Sequence, residues 1–429
     1  MSSHPPSSYP ESLSCPENPL HPETLLCQRG GDAFGAVVPP IYQNSLFTFE
    51  SWEAIATAFE DKINTPIYSR GHNPTVVEAE RVLAAFAGAE KAKLFASGMA
   101  AISAGILHFL QPGCHVICVR NAYGPVLALL EQYLLPKFNI EQSFVGGAEV
   151  EEFAACIRDN TRLIYLESPA SGLFGLQDLA AIAALAKAHG IATMVDNTWA
   201  TPLFQRPLAL GIDLEVHSCS KYLGGHSDII AGVLLGSAAL LDAIHSREFE
   251  LLGARIAPME AWFLLRSLRT LPLRMARHQQ SALAVASMLA AHPKVARVDY
   301  PGLAGFPQAE LARRQMSGFS GLMGFRLKAS LKAGLKAGLG DGADGMGTDV
   351  RDAEAAARRF VNALKLIRIG VSWGGHESLI YAPAIGYQKE LDPERFAALG
   401  LSPAQMRLSV GLEHVGDLIA DLQQALEKV

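Results

Sequence analysis

The stretch 191–230 constrains this chain more than any other: IATMVDNTWATPLF is followed by EVHSCSKYLGGHSDII. The apolar run 191–195 reads as a buried strand and ends in an acid, Asp196. A second short run leads into Ser218, Cys219, Ser220 and Lys221, and then into Gly-Gly-His. One carboxylate and one amine therefore stand at the ends of predicted strands. Ligands of open α/β sheets sit beyond the carboxyl ends of the strands, so the two groups can converge on one ligand. A lysine flanked by small hydroxyl residues suits pyridoxal phosphate (PLP), because the amine condenses with its aldehyde while the hydroxyls bind its phosphate. On spacing alone, a surface lysine and a strand-end acid fit equally well.

The rest of the chain gives these groups a setting. Residues before about 23 are rich in Ser and Pro and read as a loosely attached lead-in. Apolar residues recur at helical spacing over 75–86, and 91–95 leads into Ser97, Gly98 and Met99. A glycine turn opening an Ala-rich helix exposes backbone N–H groups at a positive helix end, which makes Gly98 and Met99 the candidate phosphate cradle. Ser97 acting as a plain N-cap is compatible with that. Further apolar runs at 115–119 and 161–166 end near Tyr123 and Glu167, and a helix-period segment, 176–189, returns to the Asp196 strand. Strand and helix alternate in this way over 90–235, the signature of a parallel sheet with helices on both faces. From 258 to 291 the pattern turns to long helical segments, so a second domain begins hereabouts. A strand is expected at 318–327, an exposed glycine-rich insertion at 330–348, a helix at 352–366 and a strand at 406–410 carrying Arg407.

DNTWATP and HSCSKYLGGHSD, with YSRGHNPT at 68–75, FASGMAAI at 95–102, NAYGP at 121–125, ESPASG at 167–172 and SWGGHESLI at 372–380, resemble the cysteine/methionine-metabolism family of PLP enzymes. The blocks fall in one order across most of the chain. Within the family, the Trp373 block and the ending MRLSVGLEHVGDLIADL look most like bacterial cystathionine β-lyase. The resemblance implies a type I PLP-dependent transferase fold, aspartate aminotransferase-like: an α/β large domain with a mostly parallel sheet, plus a smaller α/β C-terminal domain. It implies a lead-in and inter-subunit arm over 1–71, a PLP-binding domain over 72–262 and a C-terminal domain over 263–429.

The same resemblance assigns roles. Lys221 holds PLP and moves the Cα proton, Asp196 partners the ring nitrogen, and Ser218 and Ser220 join Gly98 and Met99 on the phosphate. Tyr123 stacks on the ring and assists at the leaving group; Tyr68 and Arg70 reach a neighbouring subunit's phosphate; Ser372, Trp373 and Arg407 bind the substrate carboxylate. The implied reaction is β-elimination of cystathionine to homocysteine, pyruvate and ammonia, in a homo-oligomer, a tetramer built from dimers. Two departures bear on it. Relatives that act at Cγ commonly carry Glu where this chain has Val371, and the β-lyase commonly has Tyr. Val also occurs in methionine γ-lyase-like members, but those usually have Cys where this chain has Pro125, so Trp373 favours β-elimination. The alternatives are γ-elimination or γ-replacement, or a PLP-binding protein without catalysis.

Composition sets outer bounds. The chain of 429 residues can bury a large core, and its net charge of −6, with no basic run, suggests neither nucleic acid nor an anionic membrane as a partner. Six scattered cysteines show no CxxC or Cys/His spacing, so no metal is expected, and Cys219 reads as a buried filler. The N-terminus lacks a basic start and an apolar core, and no apolar stretch reaches spanning length, so a cytoplasmic protein is expected.

Overall fold

Short runs rich in Val, Ile and Leu build the first sheet, and most of their residues are buried on both faces. The strands are β1 (Lys91–Phe95), β2 (His115–Val119), β3 (Glu141–Val145), β4 (Thr161–Glu167), β5 (Ala192–Asp196), β6 (Leu214–Ser218) and β7 (Gly232–Gly236). In the computed structural model, which describes residues 20–27, 35–328, 345–390 and 402–429, they form a 7-stranded sheet ordered β1-β7-β6-β5-β4-β2-β3. The lead-in before residue 23 and the insertion at 330–348 lie mostly outside the described residues. Pairing from β3 through β2, β4 and β5 to β6 is parallel, whereas β7 runs antiparallel to both β6 and β1. The expected mostly parallel sheet is present, with β7 as its exception.

Helices cover both faces, and several start where the sequence supplies a side-chain cap. Asn73 accepts the Thr75 N–H ahead of Pro74–Ala87, whose first position is the proline that needs no donor. That helix ends at Gly88, in the left-handed region at φ 72°. With Pro258–Leu268 and Leu271–Ala291 it belongs to an apolar cluster that continues into the second sheet. The opposite face packs Gly98–Phe109 and Leu179–Ala188 into a separate cluster. Burying a side chain such as Leu83 or Phe86 stabilises the fold by roughly 1.5–3 kcal/mol. The helical segments expected over 258–291 are two helices divided between Leu268 and Leu271, with Pro272 in the first turn of the second.

A 5-stranded sheet follows, ordered β10-β11-β12-β9-β8, from β8 (Val295–Asp299), β9 (Leu322–Leu327), β10 (Arg368–Ile369), β11 (Leu379–Tyr381) and β12 (Gln405–Ser409). β12 lies antiparallel to both β11 and β9, which places Arg407 opposite Tyr381 and Gly324. Among the described residues, no helix is long and apolar enough to cross a membrane.

Candidate active site

Parallel strands deliver their last residues to one edge. Glu167 ends β4, Asp196 ends β5 in register with it, and Ser218 ends β6 three residues before Lys221. Asp196 is buried, and its Oδ1 accepts both the Thr198 N–H at 2.9 Å and the Thr198 hydroxyl. Burial holds its carboxyl above the usual range against the pull of those hydrogen bonds and of the His217 and Lys221 charges. Among the described residues, no hydrogen bond reaches its Oδ2.

Lys221 Nζ donates to Ser372 Oγ at 2.6 Å and lies 5.4 Å from the centre of the Trp373 ring. Burial, then the Arg407 charge, pull its amine down to about 8, with Asp196 opposing. About a tenth of the amine is then free at pH 7, far more than for an ordinary lysine. Trp373 is buried and packs on Tyr222 at 5.5 Å between ring centres. The loop carrying Ser372 and Trp373 passes so close to the lysine that a Cβ at Gly374 would stand 2.9 Å from Tyr222 N and 3.2 Å from Lys221 Cα. Gly374 also sits at φ 84°, so glycine is required there on both counts.

Arg407, half-buried on β12, donates to the Val371 carbonyl at 2.5 Å, and its guanidinium stands 5.2 Å from the Tyr381 ring centre. The Tyr123 phenol is 45 % exposed; partial burial pushes it up, so it stays protonated in the ordinary pH range. Val371 is 75 % exposed.

At the start of Gly98–Phe109, Ser97 Oγ accepts the Ala100 N–H at 3.0 Å, so the cap expected of it is present. A Cβ at Gly98 would come within 3.0 Å of Ser218 Cβ and 3.1 Å of its Oγ, so glycine alone lets the helix start touch that serine. The structure thus brings Gly98, Met99 and Ser218 to one place. Ser220 differs: its hydroxyl accepts the Ala231 N–H at 3.1 Å and faces the Ala231 carbonyl. Tyr68 and Arg70 lie on the arm before Asn73, where the Arg70 guanidinium is 5.6 Å from the Tyr68 ring centre. Tyr68 is 49 % exposed, and among the described residues neither side chain contacts the Lys221 group. Cys219 is fully buried, and burial raises its thiol, in keeping with a filler.

The family model described as Cys/Met metabolism PLP-dependent enzyme matches residues 23–427. The chain belongs to this family. Its cofactor is therefore PLP. The crystal structure of MetB from Corynebacterium glutamicum superposes with a TM-score of 0.83 at 31 % identity, covering 95 % of this chain and 98 % of that one. An L-methionine gamma-lyase of Pseudomonas putida is 41 % identical over 397 residues, 92 % of this chain and 94 % of that protein. A cystathionine beta-lyase of Lactococcus lactis subsp. cremoris is 35 % identical over 394 residues, 92 % and 95 % of the two chains.

The residues present fit PLP. The Gly98 helix start with the Ser218 hydroxyl suits a phosphate, the lowered Lys221 amine an aldehyde, and the open Oδ2 of buried Asp196 a pyridinium. Motif reading passed over Thr198, which orients Asp196, and Glu167, which accepts the backbone N–H groups of Tyr123 and Ser171. Glu167 had the same signal as Asp196, an acid closing an apolar run.

Proposed function

We propose that this enzyme is a carbon–sulfur lyase that cleaves cystathionine by β-elimination, giving homocysteine, pyruvate and ammonia. When bound, PLP supplies the electron sink that makes the substrate Cα–H acidic. Lys221 takes the Cα proton. Asp196 would hold positive charge at the ring nitrogen, and Gly98, Met99 and Ser218, with Ser220 once its hydroxyl proton turns from the Ala231 carbonyl, would hold the phosphate. Arg407 grips the substrate carboxylate by a charge-assisted fork, with Ser372 and the Trp373 backbone beside it. The Tyr123 phenol, protonated in the ordinary pH range, would lie against the bound ring and donate its proton to the departing thiolate.

One observation carries the choice of β over γ. Lys221 Nζ donates to Ser372 Oγ with the Trp373 indole beside it, and we read this pair as confining the base. γ-Elimination requires a proton from Cβ as well as from Cα, so the base must travel along the substrate. β-Elimination requires only the Cα proton, and a confined base suits it. The second reading, γ-elimination, is favoured by the 41 % identity to the methionine gamma-lyase and by Val371, which offers no carboxylate to a distal ammonium. With no acid there, cysteine S-conjugates other than cystathionine are expected to be cleaved as well. Trp373→Leu opens the lysine's surroundings and is expected to raise the 2-oxobutyrate share of the keto acids. An unchanged share removes Trp373 from the choice.

The division at residues 72 and 263, a cytoplasmic location and a homo-oligomer, a tetramer of dimers, belong to the same proposal. Exposed Tyr68 and Arg70 support the oligomer, because an Arg–Tyr pair away from its own chain's lysine is available to a neighbouring subunit's phosphate. Mixing inactive Arg70→Ala and Lys221→Ala proteins under subunit exchange is expected to restore part of the activity. No recovery despite demonstrated exchange places Arg70 in its own subunit's site.

A further inference from the structure

Two acids stand side by side at the ends of β4 and β5, and the chemistry above uses only Asp196. Glu167 is its Cα partner across the ladder and is 4 % exposed. Its Oε2 accepts the Tyr123 backbone N–H at 2.5 Å, and its Oε1 accepts the Ser171 N–H at 2.6 Å. A carboxylate taken out of water needs such donors, and hydrogen bonds to a charged acceptor are stronger than neutral ones. Tyr123 opens the short helix Gly124–Ala128 without a side-chain cap, and its phenol is half-exposed. The backbone from which that ring projects is held by Glu167.

We propose that Glu167 is a positioning residue: by gripping the Tyr123 and Ser171 N–H groups from the end of β4, it fixes the loop that aims the Tyr123 phenol into the Asp196–Lys221 site. The inference rests on Tyr123 having the part in lyase chemistry given above. The groups facing Glu167 are Asp196 on β5, Tyr165 on β4 and Cys118 on β2, with Tyr123 and Ser171 from the loops. Burial raises both the Tyr165 hydroxyl and the Cys118 thiol, so these stay neutral and Asp196 is the charged neighbour in that group. Burial, followed by the Asp196 charge, brings Glu167 to about 7. Positive charge compensating Asp196 favours the ionised, gripping form of Glu167 and so ties the Tyr123 loop to the state of the ring-binding acid.

Glu167→Gln tests the idea, because an amide offers one acceptor oxygen and turns its NH₂ toward the second backbone donor. In the cofactor-free protein, amide hydrogen exchange at Tyr123 and Ser171 is expected to rise by about tenfold or more, while β5 and β6 keep their protection. In the loaded enzyme, kcat is expected to fall by roughly tenfold, and the loss should vanish when the change is made in a Tyr123→Ala background. Glu167→Asp, which keeps the charge and loses reach, guards against a fold failure and is expected to lie between wild type and Gln on both readouts. Unchanged exchange at both amides, or an equal loss of kcat in the Tyr123→Ala background, overturns the proposal. Failure of the lyase reading would show in the keto acid released, which hydrogen exchange does not read.

Discussion

Lys221→Ala is expected to abolish turnover, by about 10³-fold or more, and to remove the visible absorbance of covalently held cofactor while the fold remains. The amine is both the attachment point and the base in the proposed reaction, and no second amine is placed at Ser372 Oγ among the described residues. Loss of the fold is not expected, because burial and the Arg407 charge already oppose the charged amine; alanine removes that conflict along with the hydrogen bond to Ser372. Circular dichroism and the melting temperature of the cofactor-free variant check the fold. Substantial lyase activity in the variant would remove Lys221 from the mechanism.

Asp196→Asn is expected to retain bound PLP and to slow Cα proton removal by about 10²-fold or more. Asparagine keeps an oxygen for the Thr198 N–H and hydroxyl, so the side chain stays in place and only its charge is lost. The loss bears on the step in which the cofactor ring must stay protonated to draw electrons from Cα. A substrate isotope effect that grows in the variant locates the slowing at that proton. Near-normal rates would show that another group keeps the ring protonated.

Much of the site was legible because sequence pattern and sheet geometry share one rule. Apolar runs that end abruptly become buried strands, and in a parallel sheet their last residues gather at one edge. Asp196 and the turn to Lys221 were read that way, and Gly98 by its place at a helix start. What escaped depended on distant pairing. The direction of β7 follows from a connection that starts beyond Ser218 and carries Lys221, and nothing in GVLLG encodes that it lies between β1 and β6. The Ser220 hydroxyl accepts the Ala231 N–H eleven residues later, a pairing that no local pattern encodes. Glu167 carried the right local signal, but its meaning lies in reaching Tyr123, forty-four residues earlier in sequence. The role proposed for Tyr68 and Arg70 depends on a neighbouring subunit, which a single chain's pattern does not encode.

The central claim is tested most directly by the keto acid that the wild-type enzyme releases from cystathionine. Pyruvate formed together with homocysteine is the predicted result, as expected of a base confined between Ser372 and Trp373. Predominant 2-oxobutyrate with cysteine would contradict the β-elimination account.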